Sequence, residues 1–95
     1  MAWYASTTKV LLVDDYPLVL ESIRQLLKPY FTIVGMVKDS SEIMTRALEY
    51  LADVILLDAC MPGLRGFAVI TQLKKVLPAV KVIMVTDAYG SHIHQ

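Results

Sequence analysis

Asp14-Asp15 follows the apolar run Val10 to Val13, and Asp58 follows Val54 to Leu57. Thr86-Asp87 follows Val80 to Val85 in the same way. Acids and a hydroxyl at the ends of such runs can do chemistry only if the runs lie side by side. In that case the carboxylates share one cleft and repel, and at least one has its pKa raised. A divalent cation relieves the repulsion. A few hard oxygen ligands completed by water suit Mg²⁺, which can hold a phosphoryl group and neutralise its developing charge. Asp58 is then a carboxylate nucleophile that forms an aspartyl phosphate. Thr86 offers a hydroxyl to a phosphoryl oxygen. Taken singly, an acid pair after a strand is ordinary turn or cap chemistry. The joint occurrence carries the reading.

The elements must supply that neighbourhood. The runs Val10 to Val13, Phe31 to Val37, Val54 to Leu57 and Val80 to Val85 are nearly continuous, as in strands covered on both faces. Helical patterns separate them and no tight hairpin dipeptide joins them, which predicts a parallel sheet with right-handed crossovers. The first helix starts near Tyr16, with Pro17 at its first position and Leu20, Ile23 and Leu27 on one face. Asp39-Ser40-Ser41-Glu42 has capping-box spacing, and Ile43, Ala47 and Leu51 continue an apolar stripe. The third helix spans about Gly66 to Val76, with Val69, Leu73 and Val76 on one face and Ile70 and Leu77 widening it, and Pro78 stops it. Sites in open parallel sheets gather at the carboxyl ends of the strands. The predicted strand order, 2-1-3-4, brings the first, third and fourth ends together.

Composition bounds the rest. One domain fits 95 residues. Nine basic residues balance nine acidic ones, so no electrostatic footprint for nucleic acid or membrane is expected. The mean hydropathy of +0.53 is high for a small soluble domain, so some apolar surface is expected to lack a partner. The lone Cys60 excludes an internal disulfide and suits a reducing, cytoplasmic setting. No run reaches membrane-span length, and residues 1–8 read as an extension rather than a signal peptide.

Lys9 to Asp15, Val54 to Gly63 with Gly66, and Val82 to Thr86 together resemble the receiver domains of bacterial response regulators. Tyr16-Pro17 and Leu77-Pro78 resemble the subgroup that carries a LuxR-type DNA-binding output domain. The resemblance implies a flavodoxin-like fold over residues 9–95, with Asp58 as phosphoacceptor. It implies Asp15 as a direct Mg²⁺ ligand, Asp14 as its water-mediated neighbour, and a further ligand from the Cys60 backbone carbonyl. Met61-Pro62-Gly63 would shape the following loop, and Thr86 would be the switch hydroxyl. The phosphate would come from a histidine kinase or phosphotransfer protein, and transcription would be regulated through an output domain outside this sequence. Such a chain is a switch, not a turnover enzyme.

The family's fifth strand, with its lysine, and its fifth helix have no counterpart before Gln95. An exposed strand four is therefore expected, in a chain that is either a fragment of a longer regulator or pairs with a second copy through that region. The competing reading is a pseudo-receiver that acts by protein contact alone. The absent lysine and Asp87 favour it; intact Asp14, Asp15, Asp58 and Thr86 oppose it. Asp87 is read as an outward-facing cap, His92 and His94 as tail residues, and Trp3 and Tyr4 as carrying no functional signal. Haloacid-dehalogenase-like phosphotransferases want Asp-x-Asp rather than adjacent acids. Flavodoxins want a phosphate cradle that Asp-Asp-Tyr-Pro does not supply.

Overall fold

The computed structural model describes residues 6–61, 63 and 68–85. The elements run β1 (Lys9–Val13), α1 (Pro17–Leu27), β2 (Thr32–Val37), a short 3₁₀ turn (Ser40–Glu42), α2 (Ile43–Tyr50), β3 (Val54–Asp58), α3 (Ala68–Val76) and β4 (Lys81–Val85). All pairings are parallel, in the order β2-β1-β3-β4. This is the doubly wound, flavodoxin-like layer that the motif order predicts.

Alternation along the central strands divides the core in two. Leu11, Val13, Ile55 and Leu57 point to one face, where Ile43, Ala47 and Leu73 from α2 and α3 cover them. Val10 and Leu12 point to the other, under Leu20, Ile23 and Leu27 of α1. The strands read as continuous apolar runs because each face has its own helix layer.

Cover is uneven. Ile83 pairs in register with Leu56, whose side chain belongs to the α1 face. Yet Ile83 is 50% exposed and Val85 is 41% exposed. Leu18 and Leu26 of α1 also face solvent. This is, among the described residues, the exposed apolar surface that the high hydropathy predicts. Among the described residues β4 is an open edge.

Asp53 links three strands at the amino edge of the sheet. Asp53 Oδ2 accepts from the Lys9 backbone N–H at 2.8 Å, and the Asp53 N–H donates to the Lys9 carbonyl at 2.9 Å. The Asp53 carbonyl accepts from Lys81 N–H at 3.0 Å. The starts of β1 and β4 are thus tied to the residue just before β3. Losing the carboxylate in Asp53→Ala removes one exposed hydrogen bond, and about 1 kcal/mol of stability is expected to go with it. A urea melt that left the midpoint unmoved would refute this.

Some details differ from the sequence reading. Phe31 and Val80 lie just outside their strands. β2 carries an extra residue opposite β1, where the register steps from Ile33 to Gly35. Gly35 is required there because a Cβ would sit 2.9 Å from the Tyr50 ring and 3.2 Å from Leu11 Cδ1. The capping box forms only in part. Asp39 accepts from Ser41 N–H at 2.9 Å, but Glu42 pairs with Arg46 instead of reaching back. The local preference of Asp39 for its own i+2 amide makes a 3₁₀ turn before α2 begins. Leu51, expected on the apolar stripe, is exposed and ends α2 in the left-handed conformation at φ 51°. Val76 is also exposed, because α3 buries Leu73 and packs Val69 and Ile70 instead.

Candidate phosphoacceptor and metal site

Register decides which strand ends meet. Val13 of β1 pairs with Leu57 of β3, so Asp14 and Asp58 leave adjacent strands at the same level. Asp58 in turn pairs with Val85, the last residue of β4. Thr86 and Asp87 are next in the sequence but lie outside the described residues, as do Pro62, Gly66, His92, His94, Trp3 and Tyr4.

Backbone hydrogen bonds fix the rim. Asp14 N–H donates to the Val37 carbonyl at 3.0 Å, which extends the β1–β2 ladder past the strand. Asp14 Oδ1 accepts from Tyr16 N–H at 3.0 Å, and so orients the entry to α1. Tyr16 occupies the cap position without a side-chain hydrogen bond, with Pro17 opening the helix. On β3, Asp58 Oδ1 accepts from Cys60 N–H at 2.9 Å. Ala59 N–H donates to the Val85 carbonyl at 2.9 Å.

Asp14, Asp15 and Asp58 each present one carboxylate oxygen, and these oxygens all lie within 4.8 Å of one another. Asp14 is buried; Asp15 and Asp58 are half-buried. Burial holds the Asp14 carboxyl above its ordinary 3.8, and the charges of Asp58 and Asp15 push the same way. The Tyr16 N–H opposes them. One carboxylate is raised, as the sequence reading expects, but burial contributes more to the shift than either neighbouring acid does. Asp15 Oδ1 is buried and has no hydrogen-bond partner among the described residues. A buried anionic oxygen without a donor is costly. A cation resolves that cost, and an all-oxygen set of this size fits a hard divalent ion.

The loop after Asp58 is anchored by more than its turn. Met61 is only 4% exposed and joins the core beneath α2 and α3, whereas Cys60 is exposed. Gly63 has φ +80°, and a Cβ there would meet Ser40 Oγ at 2.7 Å. The sequence reading assigned the loop's shape to Met61-Pro62-Gly63 as a unit. It did not see that Ser40, from the turn before α2, is the surface against which the glycine closes. No local signal links residues 23 positions apart.

A parallel α/β layer that gathers three carboxylates at the carboxyl ends of its strands places them where open sheets build their binding sites. Residues 10–94 match the response regulator receiver domain family, and the chain belongs to that family. It is 38% identical over 83 residues to the response regulator protein VraR of Staphylococcus aureus, covering 85% of this chain and 40% of that protein. The chain therefore spans less than half the length of the curated relatives it matches. Among solved structures, the isolated REC domain of RcsB from Salmonella enterica serovar Typhimurium, in the presence of phosphomimetic BeF₃⁻, superposes with a TM-score of 0.76 at 29% identity. That match covers 85% of this chain and 62% of the other. A LuxR-family two-component response regulator from Aurantimonas sp. SI85-9A1 also superposes at 0.76, with 28% identity and coverage of 85% and 59%. The chain is the receiver portion of a response regulator related to the LuxR type.

Proposed function

We propose that this chain accepts a phosphoryl group on Asp58 in a Mg²⁺-dependent reaction and relays that state to an output that regulates transcription. The observation that carries the reading is the acid triad, with its unpartnered Asp15 Oδ1 beside Asp58 at the end of β3. The solved RcsB relative bears on it as well, its structure having been determined in the presence of a phosphomimetic.

A carboxylate oxygen of Asp58 forms the new P–O bond as the P–N bond to a donor imidazole breaks. The donor is a histidine kinase or phosphotransfer protein. The Cys60 N–H, donating to Asp58 Oδ1, orients the carboxylate for that attack. Asp15 and Asp58 would hold Mg²⁺ directly, with Asp14 acting through water and the Cys60 carbonyl completing the protein ligands. When bound, the ion supplies charge neutralisation for the transferring group. Thr86 is proposed as the switch hydroxyl. Residues 9–95 would form the receiver and residues 1–8 an extension, in a cytoplasmic regulator whose own chemistry is limited to gaining and losing this one group.

Intact-mass analysis of the chain with a small phosphodonor tests this. One phosphoryl addition is expected with Mg²⁺ and none with a chelator. A chain that binds Mg²⁺ yet gains no mass would be a pseudo-receiver.

A second proposal concerns β4, which is an open edge among the described residues. Ile83 and Val85 on the β4 edge are suited to pairing with a second copy of the chain. Sedimentation at high concentration should show a dimer that Ile83→Lys converts to monomer; a parent that stays monomeric would rule the pairing out.

A further inference from the structure

We infer that Met61 is a positioning residue for the acceptor, acting from the core through the turn that holds Asp58. The inference rests on the reading of Asp58 as phosphoacceptor. Its basis is a division of labour among the three residues after the acceptor. Ala59 is held through its backbone, by the N–H that donates to Val85. Cys60 supplies the N–H that fixes Asp58 Oδ1, but its side chain is exposed and offers the turn no anchor. Met61 is the first residue after Asp58 whose side chain enters the core. It is 4% exposed in a cluster with Leu57, Ile43 and Leu73. Its own N–H reaches the Asp58 carbonyl at 3.3 Å, a long bond that cannot hold the turn alone.

The physical consequence is leverage. Asp58 presents the correct oxygen only while Cys60 N–H stays 2.9 Å from Oδ1. That amide is set by the chain on either side. β3 fixes one side and Met61 fixes the other. Empty the Met61 site and the turn loses its nearest side-chain anchor in the core, so the amide and the Cys60 carbonyl next to it both shift. Reaction rates are steep in such displacements: about 1 Å of misplacement costs roughly a hundredfold. Methionine suits the task because its unbranched thioether fills an irregular gap under a loop. Leucine has nearly the same volume and should substitute.

The test needs a partner mutation that damages the core without touching the turn. Leu73 is fully buried in the same cluster but lies on α3. Met61→Ala, Met61→Leu and Leu73→Ala are compared at a temperature where each is fully folded. Phosphoryl addition should slow roughly ten- to hundredfold in Met61→Ala. It should stay close to the parent rate in Leu73→Ala and recover in Met61→Leu. Amide hydrogen exchange read by NMR gives an independent measure: Cys60 should lose protection in Met61→Ala alone. Equal slowing in Met61→Ala and Leu73→Ala, or unchanged protection at Cys60, overturns the inference. A parent that takes no phosphoryl group overturns the acceptor reading instead, and the Cys60 exchange still decides whether Met61 holds the turn.

Discussion

Asp58→Asn is expected to take up no phosphoryl group where the parent takes one, an all-or-none difference in intact mass. The amide is neutral and lacks the nucleophilic anion that the transfer needs. Its shape is nearly unchanged, and its oxygen can still accept the Cys60 N–H that Asp58 Oδ1 accepts now. Leu57, fully buried just before it, keeps β3 in place. The loss should therefore not be a loss of fold. The substitution also removes one of the two charges that hold the Asp14 carboxyl up. Without Mg²⁺, Asp58→Asn should melt above the parent, so a chemically dead variant would be the more stable protein. Mass added to this variant, with the donor and Mg²⁺ unchanged, would mean that another residue takes the phosphoryl group.

The same repulsion among carboxylates is why the cluster could be read before the fold was seen. A cluster of like charges is poor for stability, so its presence at three strand ends asks for a ligand. The types and spacing of Asp14, Asp15 and Asp58 were legible because each follows an apolar run, and parallel topology leaves few ways to arrange such runs. What stayed hidden depended on register and tertiary contact. Nothing local says that Asp53 ties the starts of β1 and β4, because its partners lie 44 and 28 positions away. Met61-Pro62-Gly63 reads as a loop-shaping unit; that the Met61 side chain is buried in the core beneath α2 and α3 needed the geometry. Leu51 and Val76 fitted a helical stripe, yet α2 ends at Leu51 in a left-handed turn and α3 rotates Val76 outward. Periodicity finds the face of a helix more surely than the last residue on it.

Asp15→Asn should weaken Mg²⁺ binding by at least about a hundredfold, since even indirect ligand supports are worth 10- to 100-fold. Asp15 Oδ1 is the triad's buried oxygen without a donor, so the ion and that atom have the most to give each other. At a free Mg²⁺ concentration of about 100 times the parent's Kd, the parent gains about 2.7 kcal/mol of stability. In Asp15→Asn the gain falls to about 0.4 kcal/mol, which is readily separated in a denaturant melt. The pH dependence comes from Asp14. Its folded pKa stands above the ordinary 3.8, raised first by burial and then by the charges of Asp58 and Asp15. The folded state thus holds this proton more tightly than the unfolded chain does. Its contribution is fully present below about pH 3.8 and is lost as pH rises through the folded value. Above that value the ionised triad is at its most repulsive, and a divalent ion relieves the most. The Mg²⁺-induced rise in melting temperature should therefore grow with pH from the acid side, because ion and proton compete for the same cluster. A rise that was already complete below about pH 4 would separate the ion from the triad.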